Sequence, residues 1–209
     1  MSGKKPLTVF SETIERSKSL LDMVDHDEEI ANRDDIIRCA VVIAIAAFDR
    51  YFTSKFCDVL VPHLKKSPKL SGELIARLEQ AGLNTEFALQ LVVSKRPFRK
   101  IRTIVQNSLS RMTTQRSSAI DELFVSMGLK CLTKNAQARA RRRNLKTRIQ
   151  KLVDMRNEIA HEAHVNAHGN VKQVASDDVR SRITDVEIFV QNCDAIIDNK
   201  FGRKPPVSA

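Results

Sequence analysis

The stretch DDIIRCAVVIAIAAFDRYFTSKFCDVL, from Asp34 to Leu60, predicts the central helix of an α-helical protein. Its large apolar side chains recur at steps of three or four residues, which is the spacing of one face of an α-helix. This face consists of Ile37, Val41, Ile45, Phe48, Phe52 and Phe56. The first half of the stretch is apolar on almost every side, which is typical of a helix surrounded by other helices. Asn32 and Asp34 are expected to cap this helix, and Pro62 and Pro68 are expected to close it.

The composition agrees with a mostly helical chain. The sequence has 209 residues, of which 42% are hydrophobic, and it has only six glycines and six prolines. This length is enough for one domain with a sizeable core. We therefore predict an all-α bundle in a single domain over residues 1–202. In this prediction residues 62–132 are a helical insertion that decorates the core helices, and residues 203–209 are a disordered tail.

Three further helices are predicted around the central one. The first covers about residues 8–30, and a long helix covers about residues 133–163, before a loop with a short hairpin at His168–Gly169. The last helix is expected to be capped by Ser176 and to end at Gly202. Its apolar stripe consists of Val179, Ile183, Val186, Val190, Cys193 and Ile197.

Positive charge is concentrated in one segment. Residues 87–153 hold sixteen Lys and Arg against two acids, a balance of +14. The remaining residues hold nineteen Lys and Arg against twenty-three Asp and Glu, a balance of −4. The two parts together give the net charge of +10. This asymmetry favours a polyanionic partner, with nucleic acid ahead of an anionic membrane. The alternative is a solvated basic surface that keeps the protein soluble.

The cysteines and the apolar stretches indicate a soluble cytoplasmic protein. The four cysteines are far apart and form no CxxC pair, so we expect buried free thiols. They are Cys39, Cys57, Cys131 and Cys193. The longest strongly apolar stretch, residues 39–48, is too short to cross a bilayer. We therefore predict no membrane partner.

The stretch DMRNEIAHEAH, from Asp154 to His164, carries the candidate catalytic side chains. On a wheel at about 100° per residue, the core stripe of the long helix is centred on Leu152. The stripe consists of Ile149, Leu152, Met155, Ile159 and Ala163. Asn157, His161 and His164 lie about 120–180° from Leu152, and Arg156 lies near the edge of the stripe. This polar face is either the solvated side of the helix or a surface that meets RNA or a second chain.

These residue types match the needs of metal-free RNA cleavage. A histidine can take or give a proton near neutral pH. An arginine can bind a phosphate with two hydrogen bonds and stabilise the charge of its transition state. One histidine on one helix is a sparse active site, whereas a two-fold dimer would supply two arginines and two histidines.

The histidines of the same region could also suggest a metal site. His161 and His164 are three residues apart on the predicted helix, with His168 and Glu162 nearby. No well-placed third ligand is evident, so neither a metal nor another cofactor is predicted.

RNEIAH, from Arg156 to His161, resembles the Arg-x4-6-His motif of the HEPN superfamily, including the polar residue that often follows the arginine. The earlier apolar helix with AAFDRYF and the amphipathic helix after the motif support the resemblance. The order TTQRSSAIDELFVSMGLK, RNEIAHEAH, ASDDVRSRITDVEIFV is similar to the RiboL-PSP branch in particular. The resemblance covers residues 33–60 and 113–201, whereas residues 62–112 match least.

This resemblance implies a HEPN-like bundle that dimerises through the motif-bearing helix. It also implies a metal-independent endoribonuclease of a toxin–antitoxin or anti-phage system, with an antitoxin or a defence-system protein as partner. Arg156 would bind the scissile phosphate, Asn157 would orient phosphate or ribose, and His161 would act as general base or acid. Some HEPN proteins only bind, so the alternative is a non-catalytic RNA-binding or partner-docking module.

Two further residues are supporting candidates for this site. His164 shares the polar face with His161. Asp49 of the apolar helix either holds Arg156 in place or forms a surface ion pair with a neighbouring lysine or arginine.

The segment ARARRRNLKTR, from Ala138 to Arg148, leads along the predicted long helix towards Arg156. We expect it to be a phosphate-binding track that delivers RNA to the motif. The residues of this track are Arg139, Arg141, Arg142, Arg143, Lys146 and Arg148. The alternatives are a solvated surface and an adaptor surface for another protein or a membrane.

Overall fold

The computed structural model describes residues 4–27, 29–162, 164–166 and 168–202, so the predicted tail at 203–209 lies outside the described residues. Over the described residues the structure is α-helical, apart from one isolated antiparallel bridge. The helices are α1 (Pro6–His26), α2 (Arg33–Lys66), α3 (Gly72–Gln80), α4 (Thr85–Val92), α5 (Pro97–Leu109), α6 (Ser117–Val125), α7 (Leu132–Ala140), α8 (Leu145–Glu162) and α9 (Ser176–Phe201). The all-α prediction is confirmed.

Helix α2 is the centre of the bundle, as its apolar spacing predicts. All six residues of the predicted face are at most 1% exposed. The rings of Phe48 and Phe52 contact Phe189 of α9, with centroids 6.2 and 6.5 Å apart. All six residues of the predicted α9 stripe are fully buried. The periodicity of these two long helices therefore places them correctly in the core.

Of the two prolines predicted to close α2, Pro62 lies inside the helix, which continues to Lys66 and ends two residues before Pro68, so the prediction is wrong for Pro62. A proline inside a helix removes one hydrogen bond. The last turn is held by tertiary packing instead, since the His63 ring lies 5.5 Å from that of Phe201 and Leu64 packs on the core.

The predicted side-chain caps are wrong as well. Asn32 stands before α2 in a left-handed conformation, and its side chain makes no capping hydrogen bond. The Ser176 hydroxyl donates instead to the carboxylate of Asp25, in the last turn of α1, at 2.7 Å.

The predicted long helix over 133–163 is broken into α7 and α8. Arg141 and Asn144 have φ values of 52° and 57°, which lie in the left-handed region and interrupt a right-handed helix. The Gln137 side chain accepts a hydrogen bond of 3.1 Å from the Lys146 N–H at the start of α8. Leu145 is fully buried directly after the break. The chain thus turns here without a glycine or a proline.

The 62–132 segment contributes side chains to the same core. Phe124 of α6 packs edge-on against Phe52 and Phe56, with centroids 6.4 and 5.9 Å apart. Leu74 of α3 and Val105 of α5 are also buried. In contrast, α4 has no buried residue.

The cysteines divide into two groups. Cys57 and Cys193 are buried, as predicted, whereas Cys39 and Cys131 are exposed, so the prediction is wrong for these two. Burial raises the pKa of the Cys57 thiol to about 11. Among the described helices, none is long and apolar enough to cross a membrane.

Candidate functional site

The three motif residues lie on the C-terminal half of α8. Ile149 and Leu152 bury the core side of this helix, which lies away from Asn157 and His161 but next to Arg156. Asn157 is half-buried, and the His161 side chain, one turn further on, is exposed. His161 makes no side-chain hydrogen bond or ion pair with the described residues. It is therefore a free imidazole on the surface of the chain.

Arg156 has donors that the chain itself does not use. Its Nη1 donates a hydrogen bond of 3.1 Å to the Asn157 Oδ1. Its Nε is buried and has no partner among the described residues. Native structures rarely leave a buried donor unpaired, because the desolvation of such a group is uncompensated. Arg77 Nε and Arg182 Nη1 are in the same state, and of these three arginines it is Arg156 that lines a cleft.

Arg156 lines a cleft of about 410 Å³ between α2, α8 and the loop that joins α5 to α6. Arg50 and Asp49 line it from α2, and Gln115 lines it from the loop. The cleft thus holds two guanidinium groups, one carboxylate and several neutral polar groups.

Asp49 shares this cleft with Arg156. Among the described residues it neither holds Arg156 nor forms a surface ion pair with a neighbouring lysine or arginine. Its Oδ1 accepts hydrogen bonds from the Thr114 backbone N–H at 2.5 Å and from the Thr114 hydroxyl at 2.6 Å. Its Oδ2 accepts from the Gln115 amide at 3.4 Å. No lysine or arginine of the described residues lies within ion-pair distance. Asp49 therefore fixes the α5–α6 loop, which the sequence did not indicate because Thr114 lies 65 positions away.

His164 does not share the polar face of α8. The helix ends at Glu162, and His164 has a φ of 52°, so the chain turns and the ring is only 5% exposed. The Arg38 Nε donates to the His164 Nδ1 at 3.4 Å. Burial, and then the charge of Arg38, lower the pKa of the imidazole. The prediction that His164 faces outward beside His161 is thus wrong, and its visible role is structural.

Glu158, inside the motif, ties the following hairpin to α8. Its carboxylate accepts a hydrogen bond of 2.6 Å from the Lys172 Nζ, which lowers the pKa of Glu158. The Arg38 Nη2 donates to the Lys172 carbonyl at 2.7 Å. Val165 and Val171 form the bridge of this hairpin, which confirms the turn predicted at His168–Gly169. The sequence did not indicate Glu158 or Lys172, since their pairing depends on the hairpin.

Two arginines of the basic segment at the α7–α8 junction form ion pairs within the protein. Arg142 and Arg148 both form ion pairs with Asp185 of α9, whose side chain is 1% exposed. Arg148 also donates to the Ser181 hydroxyl at 2.7 Å. Arg139, Arg141 and Arg143 are exposed, and Lys146 is half-buried. Because the helix breaks here, the segment does not lead along one helix to Arg156.

Within the described ranges, no three His, Cys, Asp or Glu side chains lie close enough together to hold a metal ion. His164 is turned towards Arg38 in the interior, whereas His161 and His168 are exposed.

Comparison with known proteins agrees with this arrangement. No curated protein and no solved structure matches the chain significantly. The model of the RiboL-PSP-HEPN family matches residues 11–199. This range includes the motif on α8 and also the 62–112 region, which resembled the family least. The chain therefore belongs to the RiboL-PSP-HEPN family, a family of predicted ribonucleases.

Proposed function

We propose that this protein is a metal-independent endoribonuclease whose active site forms where the α8 helices of two copies meet. The observation that carries the proposal is the state of the motif side chains. Arg156 has a buried donor without a partner among the described residues, and His161 is an unengaged, exposed imidazole one turn from Asn157.

The spacing of the motif favours two chains over one. Arg156 and His161 are five residues apart, which separates them by about 140° around the helix and about 7.5 Å along it. One chain therefore presents its guanidinium and its imidazole in different directions. A two-fold axis beside α8 would place the Arg156 of each chain near the His161 of the other, because such an interface is self-complementary. An antitoxin or a defence-system protein would then regulate access to this surface.

The reaction needs one base, one acid and charge stabilisation. One His161 takes the proton of the ribose 2′-hydroxyl, and the 2′-oxygen attacks the adjacent phosphorus. The bond from phosphorus to the 5′-oxygen breaks, and the leaving oxygen receives a proton from the second His161. Both Arg156 guanidinium groups stabilise the charge that develops on the phosphoryl oxygens, and Asn157 orients them. The products are a 2′,3′-cyclic phosphate and a 5′-hydroxyl.

The experiment is an incubation of purified protein with total RNA in EDTA. We expect wild-type protein to produce fragments that end in 2′,3′-cyclic phosphate. The His161→Ala variant should leave the RNA intact, whereas the His168→Ala variant, which removes another exposed histidine, should cleave like wild type. If wild type and His161→Ala leave the RNA equally intact, the enzyme proposal fails, and RNA binding without cleavage is the function to test.

A further inference from the structure

A groove continues from the Arg156 cleft along α2. The cleft of about 410 Å³ adjoins a second cavity of about 130 Å³. Arg50, Ser54 and Gln106 line both cavities, so they form one continuous depression between α2 and α5. We refer to it as the α2–α5 groove. One of its ends is at the motif arginine, and the other lies beside the N-terminal turn of α1.

The lining of the α2–α5 groove carries more positive than negative charge. Its cationic lining residues are Lys4, Arg50, Arg102 and Arg156. Lys4 is paired with Glu12, and Arg102 lies 3.6 Å from Asp58. The only acid in the lining is Asp49, whose carboxylate already accepts the hydrogen bonds of the α5–α6 loop.

Two arginines of the groove keep free donors. The Arg50 side chain is exposed and makes no hydrogen bond or ion pair with any residue the structure describes. The Arg156 Nε has no partner within the same ranges. The exposed guanidinium of Arg50 is therefore available for phosphate oxygens, which match its fork of donors, whereas Arg156 would have to present its Nη groups because its Nε is buried.

The uncharged side chains that line the groove are better suited to bind the backbone of a nucleic acid than its bases. Hydroxyls and amides from Thr53, Ser54, Gln106 and Gln115 face the groove. The aromatic residues of the lining, Phe10 and Tyr51, are at most 2% exposed, so they offer no ring face for stacking. Binding without stacking platforms is governed by phosphate contacts and tolerates any sequence.

The basic segment at the α7–α8 junction is less suited to this task. Arg142 and Arg148 are both engaged by Asp185, and the helix that was expected to connect the segment with Arg156 is interrupted at Arg141. The α2–α5 groove, in contrast, contains Arg156 itself.

We propose that the α2–α5 groove binds the backbone of single-stranded RNA on one side of the cleavage point, with Arg50 holding the phosphate next to the one held by Arg156. The inference rests on the proposed function, since it concerns the substrate of the same site. Asp49 takes part as a positioning residue that holds Gln115 at the rim.

The test measures RNA affinity in the absence of cleavage. The parent protein is the His161→Ala variant, since His161 is exposed and lies outside the groove lining. The probe is a fluorescently labelled oligouridylate of about twelve nucleotides, a length within the site sizes of single-strand binders. Its anisotropy is followed in EDTA at several salt concentrations. Arg50→Ala is compared with Arg143→Ala, an exposed arginine of the α7–α8 junction that removes the same charge from the protein.

We expect Arg50→Ala to weaken binding about tenfold and to reduce the slope of log affinity against log salt by about one, as for the loss of one phosphate contact. Arg143→Ala should change affinity less than about twofold, because it contributes only long-range charge. Arg50→Lys should keep part of the affinity, which shows that the fold is intact.

The groove proposal is overturned if Arg50→Ala binds like its parent, or if Arg143→Ala loses as much affinity as Arg50→Ala. If the parent protein binds no RNA, both the groove proposal and the proposal that RNA is the partner are overturned. A third outcome separates the two proposals. If the parent binds RNA and Arg50→Ala weakens this binding as expected, but wild type does not cleave RNA, the groove proposal is supported and the endoribonuclease proposal is refuted.

Discussion

Arg156 and Asn157 are consecutive residues of α8, and the Arg156 Nη1 donates to the Asn157 Oδ1 at 3.1 Å. This contact directs the carboxamide oxygen towards the guanidinium. It leaves the Asn157 NH2 group without a hydrogen bond in the described part of the chain. The pair can therefore present donors of both side chains to one phosphate or ribose.

The Asn157→Asp substitution tests this pairing. A carboxylate in the same place would form an ion pair with Arg156, compete with the phosphate and repel it. We expect kcat/KM for RNA cleavage to fall about 100-fold, comparable to the loss of one preorganised donor to a transition state. Thermal unfolding should be unchanged, since Asn157 is only half-buried. Near-wild-type cleavage by Asn157→Asp would show that the contact has no part in catalysis.

The break between α7 and α8 predicts opposite effects of glycine at two nearby positions. The backbone of Arg141 adopts the left-handed conformation, which glycine accepts without strain. Arg141→Gly should therefore raise the free energy of unfolding by about 1 kcal/mol. Arg139 lies inside α7, so Arg139→Gly should lower it by about 1 kcal/mol. Both side chains are exposed, and urea denaturation measures both variants. Destabilisation by both substitutions would indicate one continuous helix.

His164 predicts a pH dependence of stability. Its pKa is lowered in the folded protein by burial and by the charge of Arg38. The unfolded chain, with an imidazole of ordinary pKa near 6.5, therefore binds a proton more readily than the folded one. The stability contributed by neutral His164 is present above the unfolded pKa and decreases as the pH falls below it.

The comparison with His164→Gln isolates this contribution. The decrease in free energy of unfolding between about pH 8 and pH 5.5 should be smaller for His164→Gln than for wild type, because glutamine does not titrate. Equal pH dependence in the two proteins would refute the buried, neutral state of His164.

The elements that could be predicted from the sequence are those with a long, regular apolar period. Ile37 to Phe56 on α2 and Val179 to Ile197 on α9 repeat at helical spacing, and all are buried as expected. The placement of Asn157 and His161 one turn apart on the polar side of α8, with Arg156 nearer the core stripe, follows from the same geometry, because it depends only on neighbouring residues.

The features that could not be predicted depend on contacts between distant residues. The break near Arg141 coincides with the pairing of Arg142 with Asp185, which lies 43 positions further along the chain. The burial of His164 requires Arg38, which lies 126 positions earlier. The cleft at Arg156 likewise needs the α5–α6 loop, which Asp49 holds in place. Local periodicity contains no information on such pairs.

The central claim is that two chains build one active site, and subunit mixing tests it most directly. Wild-type and His161→Ala proteins are mixed in equal amounts, dissociated and re-paired, and cleavage is measured at constant total protein. If each site needs the histidine of both chains, activity falls to about one quarter of the wild-type value, since only that share of randomly paired isologous dimers is fully wild type. Activity of about one half would mean that each site needs only one His161, and would contradict a site built from the histidines of both chains.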